Sequence, residues 1–264
     1  MNTRRTTLSL LMVTAILSTL ILSSGCTCKE EPELLVAPKM TLIKKNVIDE
    51  DKLKRELEII HPVLRPDKQS RYQLYVTPNA PAVAAVANRV DGAEPIYQTA
   101  VQWIWVSEQT LNQTQEKWLM PHEFLVNTPN YPTNPVKGTV VSDCEEQANT
   151  LVSVLRADGI PPANVRAVLG KVKFGDEEGG HAWVEVKHNG KWLPLEATSG
   201  SYWNDEDGKL VESKGLPFNY YFSHNYPIVE VWAYYNDIYY LDPRTGEGNA
   251  PEGWGVALLQ SANQ

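Results

Sequence analysis

Cysteine is scarce in this chain: Cys26, Cys28 and Cys144 are the only three in 264 residues. Assigning Cys26 and Cys144 roles of their own leaves one thiol, so no structural disulfide is implied. Cys26 and Cys28 are too close together to hold zinc alone, and no histidines follow them to complete a site. Positive charge is also in deficit. The chain has 24 Lys and Arg against 32 Asp and Glu, with a net charge of −8 and a pI near 5.2. Phosphate binding needs a basic face, and none is visible, so no nucleic-acid partner is expected. Beyond Leu8–Leu22 no run is long and apolar enough to span a membrane. The chain also lacks internal repeats and low-complexity tracts, which excludes solenoids.

What is present begins with an address. Arg4 and Arg5 precede the apolar stretch 8–22, which leads into Ser23-Ser24-Gly25-Cys26. This pattern reads as an export signal with a lipoprotein-type cleavage site and lipidation at Cys26. Leu22 lies four residues before Cys26 rather than the usual three, which leaves an uncleaved N-terminal anchor as the alternative. The expected organisation is a signal peptide over 1–25 and a lipid-anchored tether over 26–45. An N-terminal helical extension over 46–79 follows, then one domain over 80–264. The location that follows is the cell envelope, outside the cytoplasm, with membrane attachment through the N-terminal lipid or anchor. With 42% hydrophobic residues the chain can bury a full core.

The chemistry begins at Cys144. Ser142 or Asp143 can cap the run CEEQANTLVSVLRADG, in which Leu151, Val154 and Leu155 recur at helical spacing and Gly159 supplies a stop. Cys144 then sits in the first turn, where free N–H groups and the helix dipole favour a thiolate. Asp143, Glu145 and Glu146 push the other way, so an imidazolium would have to outweigh them.

Asn189-Gly190 is a two-residue hairpin signal between HAWVEVKH and KWLPLEAT. Facing residues should therefore have numbers summing to 379, which sets His181 opposite Thr198 and Trp183 opposite Glu196. His181, Trp183, Glu196 and Thr198 then share one face of the hairpin, and Ala182, Val184, Val186, Leu193 and Leu195 the other. The apolar face is expected to be core, leaving His181 and Glu196 as neighbours on the face that meets Cys144. A thiol, an imidazole and a carboxylate in that order supply nucleophile, base and orienting anion for acyl transfer.

The segments W118-L-M-P-H-E-F-L, S142-D-C-E-E-Q-A, G180-H-A-W-V-E-V and K191-W-L-P-L-E-A-T together resemble the transglutaminase-like superfamily. Within it the bacterial transglutaminase-like cysteine proteinases are the nearest in motif, and the resemblance covers roughly residues 80–200. It implies an α+β, papain-like core in which a nucleophile-bearing helix packs on an antiparallel sheet. By resemblance Cys144 is the nucleophile and His181 the base, and Glu196 stands where the family usually has Asp. Some of these proteinases bind calcium through carboxylates at positions matching Asp143 and Glu145. Calcium takes six to eight oxygens, so carbonyls and water would complete such a site. The acyl chemistry itself requires no cofactor. The implied activity is a thiol hydrolase acting on a protein or peptide substrate through a thioester. A protein-glutamine crosslinker and a catalytically inactive binding module that kept the fold are the alternatives.

Around this centre the periodicity predicts helices over 49–60, 81–90 and 94–110, and strands over 165–173, 181–188, 191–198 and within 226–241. The Pro-rich connection 112–139 is expected near the cleft, with Asn127 or Asn130 as a second oxyanion donor.

Overall fold

The computed structural model describes residues 70–255. The expected signal peptide at 1–25, lipid site at Cys26, tether at 26–45 and helix at 49–60 lie outside the described residues. Of the extension at 46–79, only 70–79 are described, and they hold a 3-10 helix, Arg71–Tyr75, capped by Ser70.

The molecule is α+β, as the sequence implied. Its helices are α1 (Pro81–Ala87), α2 (Ala93–Ala100), α3 (Glu108–Leu111), α4 (Pro121–Val126) and α5 (Cys144–Ala157). Helix α5 starts at Asp143, whose side chain makes no capping bond, and it carries Glu145 and Glu146 in its first turn and Arg156 in its last. That placement complements the helix dipole. The helix ends in a Schellman motif. Gly159 takes φ +95°, its N–H reaches the Arg156 carbonyl, and the Ile160 N–H reaches the Leu155 carbonyl. Every residue from Cys144 to Leu155 is buried. A helix covered on all sides is a central element rather than a surface one.

Helix α5 lies on a five-stranded antiparallel sheet of order β5-β4-β3-β8-β9. Its strands are β3 (Val165–Phe174), β4 (Glu177–His188), β5 (Lys191–Leu195), β8 (Ile228–Tyr235) and β9 (Tyr240–Leu241). The β4–β5 register is the predicted one: Val184 faces Leu195, Val186 faces Leu193 and His188 faces Lys191. Asn189 and Gly190 both take positive φ, 51° and 80°, as a type I′ turn demands. The strand stops at Leu195, however. The predicted continuation to 198 gives way to a 3-10 turn, Ala197–Ser199, so Glu196 sits at the point where the chain leaves the sheet.

Both faces of this sheet are covered. Ala182, Val184, Val186, Leu193 and Leu195 pack with Ala148, Leu151, Val152 and Leu155 of α5. On the reverse, Trp183, Trp192, Tyr226, Tyr234 and Trp254 form a second, aromatic core. Buried within that layer, Arg166 pairs with Glu185 (Nε to Oε2, 2.7 Å), and its guanidinium lies 3.7 Å from the Tyr234 ring centre and 4.0 Å from that of Trp192.

A smaller sheet of order β2-β1-β6-β7 comprises β1 (Ile104–Trp105), β2 (Val141–Ser142), β6 (Gly200–Asn204) and β7 (Lys209–Lys214). It corrects one expectation. The helix predicted over 94–110 ends at Ala100, because Ile104 and Trp105 form a strand parallel to Val141–Ser142. A run of aromatic and β-branched residues favours that pleated pairing over the third helical turn. This strand pairing delivers Ser142 directly to the start of α5.

Candidate active site

Cys144 occupies the first turn of α5 and is 7% exposed, while His181 and Glu196 are each 3% exposed. His181 Nε2 lies 2.8 Å from Glu196 Oε2. Burial pushes the Glu196 carboxyl up, but the His181 charge and hydrogen bonds from His181, Thr198 and Tyr226 outweigh it and hold the group below the usual carboxylate range. An ionised Glu196 can only accept, so Nε2 carries the proton of that bond. His181 Nδ1 is buried and has no hydrogen-bond partner among the described residues. The imidazole therefore has one nitrogen fixed by Glu196 and the other unengaged.

The route by which the thiol approaches differs from the expected one. Helix α5 packs on the apolar face of the hairpin, not on the face carrying His181 and Trp183. Cys144 meets the sheet at Ala182, the residue after His181, whose backbone N–H lies within hydrogen-bonding reach of the sulfur. The thiol proton is donated to Glu145 Oε2 at 3.0 Å rather than to His181. Burial pushes the Cys144 thiol well above its ordinary value, and the charges of Glu145 and Asp143 push it the same way.

Beside the thiol lies an acidic cluster. Glu108, Asp143 and Glu146 each place one carboxylate oxygen within 4.8 Å of the others. Burial together with mutual repulsion raises Glu108 to about 9 and Asp143 well above its usual range. The neighbouring Glu116 is raised to about 8 in the same way. Glu146 rises to about 7 through burial, despite bonds from the Leu119 N–H at 2.7 Å and the Ser142 hydroxyl at 2.8 Å. Converging hard oxygens whose charges oppose one another form a donor set that suits calcium.

Residues 83–197 match the family model described as the transglutaminase-like superfamily, a span that includes Cys144, His181 and Glu196. The chain carries a transglutaminase-like domain. Among solved structures it is similar to Legionella pneumophila LapG. The EGTA-treated form gives a TM-score of 0.40 at 13% identity, covering 66% of this chain and 81% of that one. The calcium-bound form gives 0.40 at 12%, covering 78% and 95%. Likeness this slight fixes nothing about chemistry. No curated protein matches the chain in sequence.

Within the transglutaminase-like domain several sequence-stated roles land differently. Asp143 joins the acidic cluster, but its partners are Glu108 and Glu146, while Glu145 turns to the thiol. Asn127 and Asn130 are both exposed on and after α4. Nothing in the sequence singles out Glu108, which lies 35 or more residues before the other two carboxylates and joins them through the strand pairing next to it. Nor does it single out Tyr226, whose hydroxyl donates to Glu196 Oε2 at 2.6 Å.

Proposed function

We propose that the transglutaminase-like domain is a thiol hydrolase that cleaves peptide or amide bonds of a protein substrate, and that export and an N-terminal lipid or anchor tether it to the membrane at the cell envelope. The observation that carries the reading is the His181–Glu196 bond of 2.8 Å with His181 Nδ1 left buried and partnerless beside the residue that meets Cys144. In this mechanism Nδ1 takes the proton from Cys144 as sulfur attacks the scissile carbonyl carbon. The Cys144 backbone N–H, free at the helix start, donates to the developing oxyanion. Collapse breaks the C–N bond, and the Nδ1 proton goes to the departing amine, leaving a thioester. Water, deprotonated by the same nitrogen, then attacks the thioester carbonyl. The carboxylic acid leaves and the sulfur recovers its proton. Glu196 keeps the imidazole in the tautomer that this cycle needs.

Glu108, Asp143 and Glu146 would hold a calcium ion, which would supply positive charge next to a thiol now surrounded by carboxylates. Hydrolysis is preferred over crosslinking on the motif resemblance alone. Glu185 is fully buried in its pair with Arg166 and places no charge in a cleft. A second reading, a binding module without catalysis, is favoured by one observation: the thiol is buried and bonded to Glu145.

One experiment separates the three. The purified chain is incubated with a glutamine-rich protein and a fluorescent primary amine, with and without calcium. Cleavage or ammonia release that requires Cys144 and leaves no label supports the hydrolase. Stoichiometric label incorporation dependent on Cys144 would replace it with a crosslinker, and no Cys144-dependent product in either condition would leave the binding module. For the tether, Cys26→Ala should abolish lipid labelling and move the protein to the soluble fraction. Membrane retention at full unprocessed length would instead identify 8–22 as an uncleaved anchor.

A further inference from the structure

Glu196 accepts four hydrogen bonds, two on each oxygen. Oε1 receives the Thr198 N–H at 3.1 Å and the Thr198 hydroxyl at 2.6 Å. These are local bonds, made because Glu196 caps the 3-10 turn that follows it. Oε2 receives His181 at 2.8 Å and the Tyr226 hydroxyl at 2.6 Å. The second of these is not local, since Tyr226 reaches in from the segment ahead of β8, thirty residues away.

The Tyr226 ring is itself held. It lies 5.0 Å from the Trp183 ring centre and 6.2 Å from that of Phe174. The same two rings bracket His181: Trp183 stacks on it at 6.4 Å and Phe174 meets it edge-on at 6.0 Å. One aromatic frame thus fixes both the imidazole and the phenol, and both grip the same carboxylate oxygen. A glutamate has one more rotatable bond than an aspartate, so its carboxylate needs more restraint to present a single oxygen to Nε2. Thr198 alone fixes Oε1 and leaves the group free to swing about it.

We infer that Tyr226 is a positioning residue for the acyl-transfer centre: its hydroxyl locks the Oε2 oxygen of Glu196 against His181 Nε2 and so lets a glutamate serve there. The inference rests on the Cys144–His181–Glu196 reading. Burial and the nearby Glu196 charge keep the phenol protonated far above neutral pH, so the donor is present throughout the working range.

The test uses the full chain and iodoacetamide, with alkylation followed at the Cys144 peptide by mass spectrometry at pH 7. Wild-type labelling should slow in His181→Ala. Tyr226→Phe keeps the ring and loses only the hydroxyl, and should slow labelling about 10- to 100-fold, the effect of one charge-assisted hydrogen bond. In a Glu196→Gln background the same change should add little, because the bond it removes is already broken. Nitrogen-15 shifts of His181 should show the proton fixed on Nε2 in the wild type and shared between both nitrogens in Tyr226→Phe. Wild-type labelling and tautomer in Tyr226→Phe would overturn the inference while leaving the triad intact. Equal slowing in both backgrounds would overturn it in favour of ring packing. A wild-type rate indifferent to His181→Ala would remove the underlying reading and the inference with it. If Tyr226→Phe fails to fold, the wild type still decides: a protected Tyr226 hydroxyl proton close to Glu196 is expected, and a rapidly exchanging one would overturn the assignment.

Discussion

At the residue scale the site turns on which atoms are already satisfied. Glu196 spends all four acceptor positions, whereas His181 spends one nitrogen of two. Glu196→Gln replaces one oxygen by an NH2, and whichever way the amide turns, it presents a donor either to the Thr198 N–H or to the His181 Nε2–H, neither of which can accept. If the NH2 faces His181 and Tyr226, the imidazole must give up its Nε2 proton or lose the bond. Turnover or Cys144 labelling should fall by about two to four orders of magnitude with the fold intact, and a rate within threefold of wild type would show that Glu196 does not orient His181. Glu196→Asp is a finer probe. Sequence alone suggests that it should be tolerated, since the family usually has Asp there, but here Oε2 meets both His181 and Tyr226 at the reach of a glutamate. A loss of about tenfold is expected, on the scale of one weakened charge-assisted bond. Cys144, His181 and Glu196 could be named as candidates from sequence because each sits in a local motif. Tyr226 and Glu108 were not, because only tertiary pairing brings them to the site.

At the element scale the hairpin shows what local chemistry can and cannot specify. Asn189-Gly190 fixed the register of β4 on β5, and alternation correctly sorted the apolar residues onto one face. Alternation did not reveal which face the helix would cover. Both faces are buried, one under α5 and one under an aromatic layer that includes Trp254 from near the end of the described residues. The aromatic layer has a tight point at Gly170, which pairs with His181 across β3 and β4. A Cβ there would lie 2.3 Å from the Glu230 carbonyl oxygen and 2.9 Å from the Trp183 ring. Backbone cannot yield cheaply, and Trp183 stacks on His181. Gly170→Ala should therefore cost about 1–3 kcal/mol, the usual effect of overpacking, and should also slow Cys144 labelling by displacing the imidazole. Urea denaturation and labelling check the two effects, and an unfolding midpoint unchanged from wild type would contradict the contact.

At the scale of the whole molecule, the formal net charge is −8, and several of the acidic groups counted in it are buried beside Cys144. The sequence showed three carboxylates next to Cys144, those of Asp143, Glu145 and Glu146, but not Glu108 and Glu116, which arrive through the pairing of β1 with β2 and the loop after α3. Their folded-state values are raised, Glu146 to about 7, Glu116 to about 8 and Glu108 to about 9, chiefly by burial and by one another. A carboxyl raised on folding contributes stability that is fully present below its unfolded value and is lost as pH climbs through the folded one. The window here runs from about pH 4.5 upward to about pH 9. Glu196 is lowered instead, so its contribution is lost only on acidification below that window. With EDTA present, thermal stability should therefore increase as pH falls from 9 to 5.5, by on the order of 5 °C in Tm. Calcium binding to ionised carboxylates reverses the slope, because protons and the cation compete for the same oxygens. In millimolar calcium the Tm should be higher at pH 8 than in EDTA, and the gain should shrink toward pH 5.5. Glu108→Gln should lower this calcium gain and raise the Tm measured in EDTA at pH 8, since it removes a buried carboxyl that must stay protonated at a pH where the unfolded chain ionises it. A flat EDTA profile across the window would show that these carboxyls are not raised as described, and a calcium gain unaffected by Glu108→Gln would show that the cluster is not a calcium site.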